Sequence, residues 1–130
     1  MRILFVASEA APFIKSGGLA DVVGALPRTL REKGHDVRVV LPRYSDIEGS
    51  KFRLLPLLPE LKVDYGGDLL VGSVLRCSFP KSDMPVYFID EPSLFHRPGL
   101  YGAGKTDYPD NERRFAFFNI ATLWMLKGLD

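Results

Sequence analysis

The sequence predicts an α/β fold, Rossmann-like, with a mostly parallel sheet, helices on both faces and a β-hairpin insertion. Three observations carry this. A short apolar run, Ile3 to Ala7, is followed by a helical pattern and then by a second apolar strand over residues 36–42, the β-α-β order of a parallel pair joined by a right-handed crossover. A glycine pair, Gly17-Gly18, stands where the helical pattern begins. Farther on, Gly66-Gly67-Asp68 separates two strand-like runs, which is hairpin chemistry.

The first strand covers about residues 2–8. Pro12 makes a helix unlikely in the loop that follows and restricts its path. The first helix runs from about Gly18 to Lys33, with Leu19, Val22, Val23, Leu26 and Leu30 as its apolar stripe. It stops at Gly34, a suitable residue just past a helix end, and Pro27 inside it predicts a kink. His35 reads as a surface residue in the turn to the second strand. Residues 61–65 and 69–79 are the hairpin strands, with Phe52 to Leu55 as a further short strand. Residues 85–90 return to a buried strand. A long loop follows, from about Glu91 to Asp110, and loops of this length inside a compact domain tend to carry function. The last element is a helix over about 110–126. Phe115, Phe118, Ile120, Ala121, Leu123 and Trp124 lie around much of its circumference, so it is expected to be largely buried. Gly128-Leu129-Asp130 reads as its end.

Composition narrows the function classes. One hundred and thirty residues suit one domain with a real core. A net charge of +1 gives no field to recruit nucleic acid or an acidic membrane. The single cysteine, Cys77, excludes an internal disulfide framework and fits a reducing, cytoplasmic setting, where it packs as a small apolar residue. No apolar run reaches membrane-spanning length, and the N-terminus lacks a cleavage-site pattern. Two histidines and one cysteine make no metal constellation, so neither a metal nor another cofactor is expected.

The candidate site is the stretch from Glu9 to Val22. The first N–H groups of a helix have no internal partners and carry the positive end of its dipole, so a strand, a glycine pair and a helix start together make an anion site. Gly17 and Gly18 lack a Cβ and allow a phosphate to approach the backbone, while Lys15 adds a full positive charge. The same pattern also serves as a plain strand-to-helix turn with a solvated lysine. Glu9 directly follows the strand's carboxyl end, where open α/β sheets place ligands; a solvated or capping carboxylate is the alternative. Asp21 either faces the same pocket as Lys15 or simply complements the dipole on the first turn.

Gly99 to Thr106 matches G-x-x-x-x-G-K-T, and Val86 to Glu91 resembles the acidic strand of such NTPases. That loop works only between a strand and a helix that receives the phosphate. Here Pro92 and Pro98 precede it, Asp107-Tyr108-Pro109 follows it, and the acidic strand comes before rather than after. The context argues against a nucleoside triphosphatase.

Several stretches, in order, are similar to the N-terminal domain of bacterial glycogen synthases and plant starch synthases. They are Arg2 to Phe13, Lys15-Ser-Gly-Gly-Leu-Ala-Asp-Val22, Gly24-Ala-Leu-Pro27, Gly34-His-Asp-Val37, Leu41-Pro-Arg-Tyr44, Arg97-Pro-Gly-Leu-Tyr-Gly102 and Asp107-Tyr-Pro-Asp-Asn111 with Arg114-Phe115. The resemblance implies a GT-B glycosyltransferase, which moves glucose from ADP-glucose to the non-reducing end of an α-1,4-glucan with retention. It implies that Lys15 grips the sugar-nucleotide phosphates, supported by Gly17 and Gly18. Glu9, Asp21 and Tyr101 are then near the glucosyl or acceptor pocket, with no confirmed catalytic residue among them. Asp110, Asn111 and Arg114 match a helix-start signature that has a structural reading. Residues 1–130 would be part of the N-terminal domain, with the C-terminal domain absent. The isolated chain would then be inactive and, with apolar surface exposed by truncation, inclined to self-associate. A folded subdomain that binds nothing is the alternative.

Overall fold

A computed structural model describes residues 1–129. Its central sheet has the order β1-β2-β5-β4-β3, with β1 Arg2–Val6, β2 Asp36–Pro42, β3 Leu55–Tyr65, β4 Asp68–Ser78 and β5 Pro85–Asp90. β1, β2 and β5 run parallel, with Val6 opposite Val40 and Pro42 opposite Ile89. β4 and β3 extend the sheet antiparallel from β5. Helix α1, Gly18–Glu32, is the crossover between β1 and β2 and runs on through Pro27, which is buried. Gly34 follows it at φ +94°, the left-handed conformation that ends helices. Gly66 and Gly67, both at positive φ, close the β3–β4 hairpin at the expected place.

Helices cover both faces. Phe88 of β5 packs edge-on to Phe13, whose ring also meets Phe52 and Phe79. α1 lies over this face, with Arg28 above the Phe79 ring. Gly24 is there because a Cβ would stand 2.7 Å from the Ala11 carbonyl oxygen. On the opposite face lies helix α4, Asn111–Gly128, whose Phe117 comes within 3.2 Å of where a Cβ on Gly72 would stand. The nearly all-apolar β5 is the strand sandwiched between them, as parallel strands covered on both faces are.

Four expectations need correction. Phe52 to Leu55 is not a short strand: Gly49–Phe52 is a one-turn helix, α2, Arg53 closes it in the left-handed region, and Leu55 begins β3. β3 starts six residues earlier than its periodicity suggests. Pro56 and Pro59 are tolerated there because β3 is an edge strand, and the register shifts around them. The stripe expected of α1 is only partly the buried one. Ala20, Val23 and Pro27 face the core, while Leu19, Val22 and Leu26 are about half exposed. Finally, α4 buries one side, through Arg114, Phe117, Phe118, Ala121, Thr122 and Met125, and leaves Leu123 and Trp124 exposed. Asp130, part of the expected helix end, lies outside the described residues.

Cys77 is buried in β4, and burial pushes its thiol up to about 11. Among the described residues no helix is long and apolar enough to cross a membrane, and no group of three His, Cys, Asp or Glu side chains gathers as a metal would require.

Candidate active-site loop

Parallel strands that share a direction place the loops after their C-terminal ends together. Here these are the loop from Ala7 to Gly17 after β1, the loop opened by Arg43 after β2, and the segment from Glu91 to Asp110 after β5. They are tied to one another. The buried Tyr44 donates from its hydroxyl to the Ser8 carbonyl at 2.8 Å, and burial raises its pKa. Tyr101 of the third loop reaches Ser8 Oγ at 2.7 Å and donates to Glu9 Oε2 at 2.7 Å.

Glu9 is 2% exposed. Its Oε1 accepts from the Ser16 and Gly17 backbone N–H groups at 3.2 and 2.9 Å, and its Oε2 accepts from Ser16 Oγ at 2.5 Å. Glu9 is therefore neither a free cleft carboxylate nor a solvated one, and it does not cap α1, whose first residue is Gly18: it seats the two amides just before the helix. Burial pushes its pKa up, but the hydrogen bonds from Ser16, Tyr101 and Gly17 outweigh burial and hold it below the ordinary glutamate value. Glu9 already takes up the Gly17 N–H that the sequence offered to a phosphate. The amides of Gly18 and Leu19, the first two of α1, have no hydrogen-bond partner among the described residues.

Lys15 Nζ contacts both oxygens of Asp21, at 2.8 and 2.9 Å. Both side chains are more than half exposed, so the pair contributes at most about 1 kcal/mol and is easily exchanged. Gly17 and Gly18 have open space where a Cβ would stand, and neither needs positive φ. Nothing among the described residues requires glycine at these two positions.

The segment after β5 is more ordered than a plain loop. It holds a one-turn helix, α3 Pro92–Phe95, and a tiny hairpin of β6 Gly102–Ala103 and β7 Thr106–Asp107. The last five residues of the G-x-x-x-x-G-K-T stretch, Gly102 to Thr106, lie in this hairpin. Gly104, at φ +64°, opens its turn, and a Cβ on Gly102 would meet the Thr106 carbonyl oxygen at 2.0 Å. Lys105 points from an exposed turn, and α4 begins only at Asn111. No helix start faces it, and the NTPase geometry is absent from this stretch.

Asp110, Asn111 and Arg114 hold the segment in place. Arg97 makes a two-pronged pair with Asp110 at 2.7 and 2.8 Å, and Asn111 Nδ2 donates to the Tyr101 carbonyl. Arg114 is fully buried. It donates to the carbonyls of Leu94 and Leu100 and to Asn111 Oδ1, among the rings of Phe95, Tyr108 and Phe115. Sequence reasoning passed over Ser8, Ser16 and Tyr44. The available signal was position: Ser8 and Tyr44 each stand two residues past a strand end, and Ser16 precedes the glycine pair.

Residues 2–130 match the model of the starch synthase catalytic domain. The chain belongs to that family. It is 45% identical to the glycogen synthase of Geotalea daltonii and 43% identical to that of Clostridium perfringens, in each case over its whole length and 26% of the relative. Against the glycogen synthase of Syntrophotalea carbinolica it is 47% identical over 95% of its length and 25% of the relative. The catalytic domain of starch synthase IV from Arabidopsis thaliana, bound to ADP and acarbose, superposes with a TM-score of 0.83 at 32% identity, over 98% of this chain and 25% of that one. This starch synthase family chain thus spans about a quarter of the length of the curated relatives it matches.

Acid should loosen the loops of this domain. Asp110, hydrogen-bonded by Arg97 against the cost of burial, is also held below its ordinary value. A carboxyl whose folded pKa is depressed contributes stability above its unfolded pKa and loses it as pH falls through the folded one. Urea midpoints are therefore expected to be flat from pH 7 to about 5 and to fall below about 4, with Glu9→Gln showing a shallower fall. An unchanged midpoint at pH 3.5 would contradict this.

Proposed function

We propose that this chain forms the donor-phosphate side of a glucosyl-transfer site. The donor is ADP-glucose, the acceptor is the non-reducing end of an α-1,4-glucan, and the anomeric configuration is retained. The observation that carries the reading is the Lys15–Asp21 pair beside two open glycines and two unpartnered amides at the start of α1. The starch synthase neighbour holds ADP and acarbose, which supports a nucleotide and a glucan as the partners.

Lys15 exchanges its exposed carboxylate partner for the donor's diphosphate, while the Gly18 and Leu19 amides take a phosphate oxygen. As the glycosidic bond breaks, negative charge grows on the leaving diphosphate, and fixed positive charge there lowers the barrier more than it strengthens ground-state binding. Asp21 holds the ammonium at the first turn of α1 when no phosphate is present. Transfer also demands an oriented acceptor and contacts to the nucleotide base. With a quarter of the relatives' length, this chain is expected to bind weakly and not to turn over. Its exposed apolar side chains, Leu19, Val22 and Leu26 on α1 with Leu123 and Trp124 on α4, are the surfaces through which it would self-associate.

The test is an amide chemical-shift titration of the chain with ADP-glucose. Shifts confined to residues 15–21 support the reading. Shifts at 99–106 would favour the NTPase alternative, and none on a well-dispersed spectrum would favour the non-binding subdomain. Gly18→Ala gives an independent check. Gly18 is helical with open space around it, so alanine should keep or raise stability by up to about 1 kcal/mol while weakening the ADP-glucose response. Loss of stability with binding intact would overturn the proposed approach of the phosphate.

A further inference from the structure

Glu9 is buried, fully hydrogen-bonded and drawn from the same short loop as Lys15, yet it offers no lone pair to a substrate. Its four donors come from three places. Two are backbone N–H groups of the glycine loop, one is the Ser16 hydroxyl, and one is the Tyr101 hydroxyl, 92 residues away. Tyr101 is in turn fixed at its carbonyl by Asn111 Nδ2 and the Tyr108 N–H, and the Leu100 carbonyl before it is held by Arg114. An unbroken hydrogen-bonded path thus joins the N-terminus of α4 to the N-terminus of α1.

From this geometry we infer that Glu9 is a built-in anion that shapes the Lys15 loop, and that Tyr101 is the positioning residue through which the segment 97–111 sets that shape. The inference deepens the proposed function and rests on its assignment of the Lys15 loop to phosphate. With Glu9 seated on the Ser16 and Gly17 amides, the chain turns so that the next two amides, Gly18 and Leu19, are the ones left for a ligand. Neither Glu9 nor Tyr101 then acts as acid, base or nucleophile. A carboxylate committed to four donors is a poor proton acceptor at neutral pH, and a hydroxyl committed to that carboxylate has no proton to spare. The ionisable groups facing Glu9 are Tyr101 and, behind Ser8, Tyr44, whose raised pKa includes repulsion from Glu9. Both tyrosines stay neutral across the acid range, so titration there reports Glu9 itself.

The test is to follow the Glu9 carboxyl carbon and the Ser16 and Gly17 amides by NMR from pH 7 to 3, in the parent chain, Tyr101→Phe and Ser16→Ala. In the parent chain, the two amides are expected to titrate with the same midpoint as Glu9, below the ordinary glutamate range. Each substitution removes one charge-assisted donor and should raise that shared midpoint by about one pH unit. A purely packing role for Tyr101 would leave the Gly17 midpoint in place. Tyr101→Phe should also weaken ADP several-fold with Lys15 intact. Amides that fail to track Glu9, or a Tyr101→Phe midpoint equal to the parent's, would overturn the inference. Absence of ADP binding in the parent chain would instead overturn the proposed function and leave the titration as the judge of the link. Ser16 is exposed, so Ser16→Ala keeps the test open if Tyr101→Phe folds poorly.

Discussion

Replacing Lys15 with alanine is expected to erase the ADP-glucose response of residues 15–21, a loss of about 10- to 100-fold in affinity. That range is what one hydrogen-bonded charge contributes, about 1.5–3 kcal/mol. The fold should be untouched. Lys15 is exposed and its pair with Asp21 is solvent-screened, so the thermal midpoint should move little. Lys15→Arg is the informative companion. A guanidinium keeps the charge but is longer and planar, and the bidentate seat on Asp21 suits it well. If Lys15→Arg restores binding, charge alone is what the loop supplies; if it does not, the reach of the ammonium past Gly17 and Gly18 also counts. An alanine variant that responds to ADP-glucose like the parent chain would remove Lys15 from the site.

The second large effect concerns stability. Arg114→Ala should cost about 3 kcal/mol or more, a substantial share of the roughly 5–15 kcal/mol that holds a domain together. Arg114 is fully buried and its donors satisfy two backbone carbonyls, Leu94 and Leu100. Removing it strands both and opens a cavity among three aromatic rings. Its neighbour Arg113 provides the control. It is partly exposed and pairs with Asp68 at 3.0 Å, so Arg113→Ala should cost no more than about 1 kcal/mol. Urea unfolding of the two variants side by side distinguishes them. Equal costs would mean that the segment before α4 is held by something other than Arg114.

The two predictions separate roles that the sequence places close together in kind. Both residues are cations just before or inside a helix's first turn. Only burial and partners distinguish the one that meets solvent from the one that holds a loop together. The apolar patterns behave similarly. On α1, the spacing of Leu19, Val22 and Leu26 is as helical as that of Ala20, Val23 and Pro27, yet the smaller set meets the sheet. Close approach, with Gly24 against Ala11, selects small residues for the buried side. Local periodicity does not reveal that β3 begins at Leu55, because its first residues include Pro56 and Pro59, which only an edge strand tolerates, and the edge position becomes known only once the sheet order is.

By itself the sequence determined the β1-α1-β2 unit, the Gly66-Gly67 turn and the helix start at Gly18, because short-range periodicity and turn chemistry suffice for them. It also carried the motif Lys15 to Val22, whose residues are neighbours in the chain. Tertiary structure alone decided what each charged group meets. Glu9 is seated by Tyr101 from 92 residues away, and the small hairpin that takes up the Gly102 to Thr106 part of the glycine-lysine stretch has no strand signal in the chain. A hydrogen bond between distant segments depends on strand order and on how three loops converge at one sheet end, and no local pattern encodes that distance.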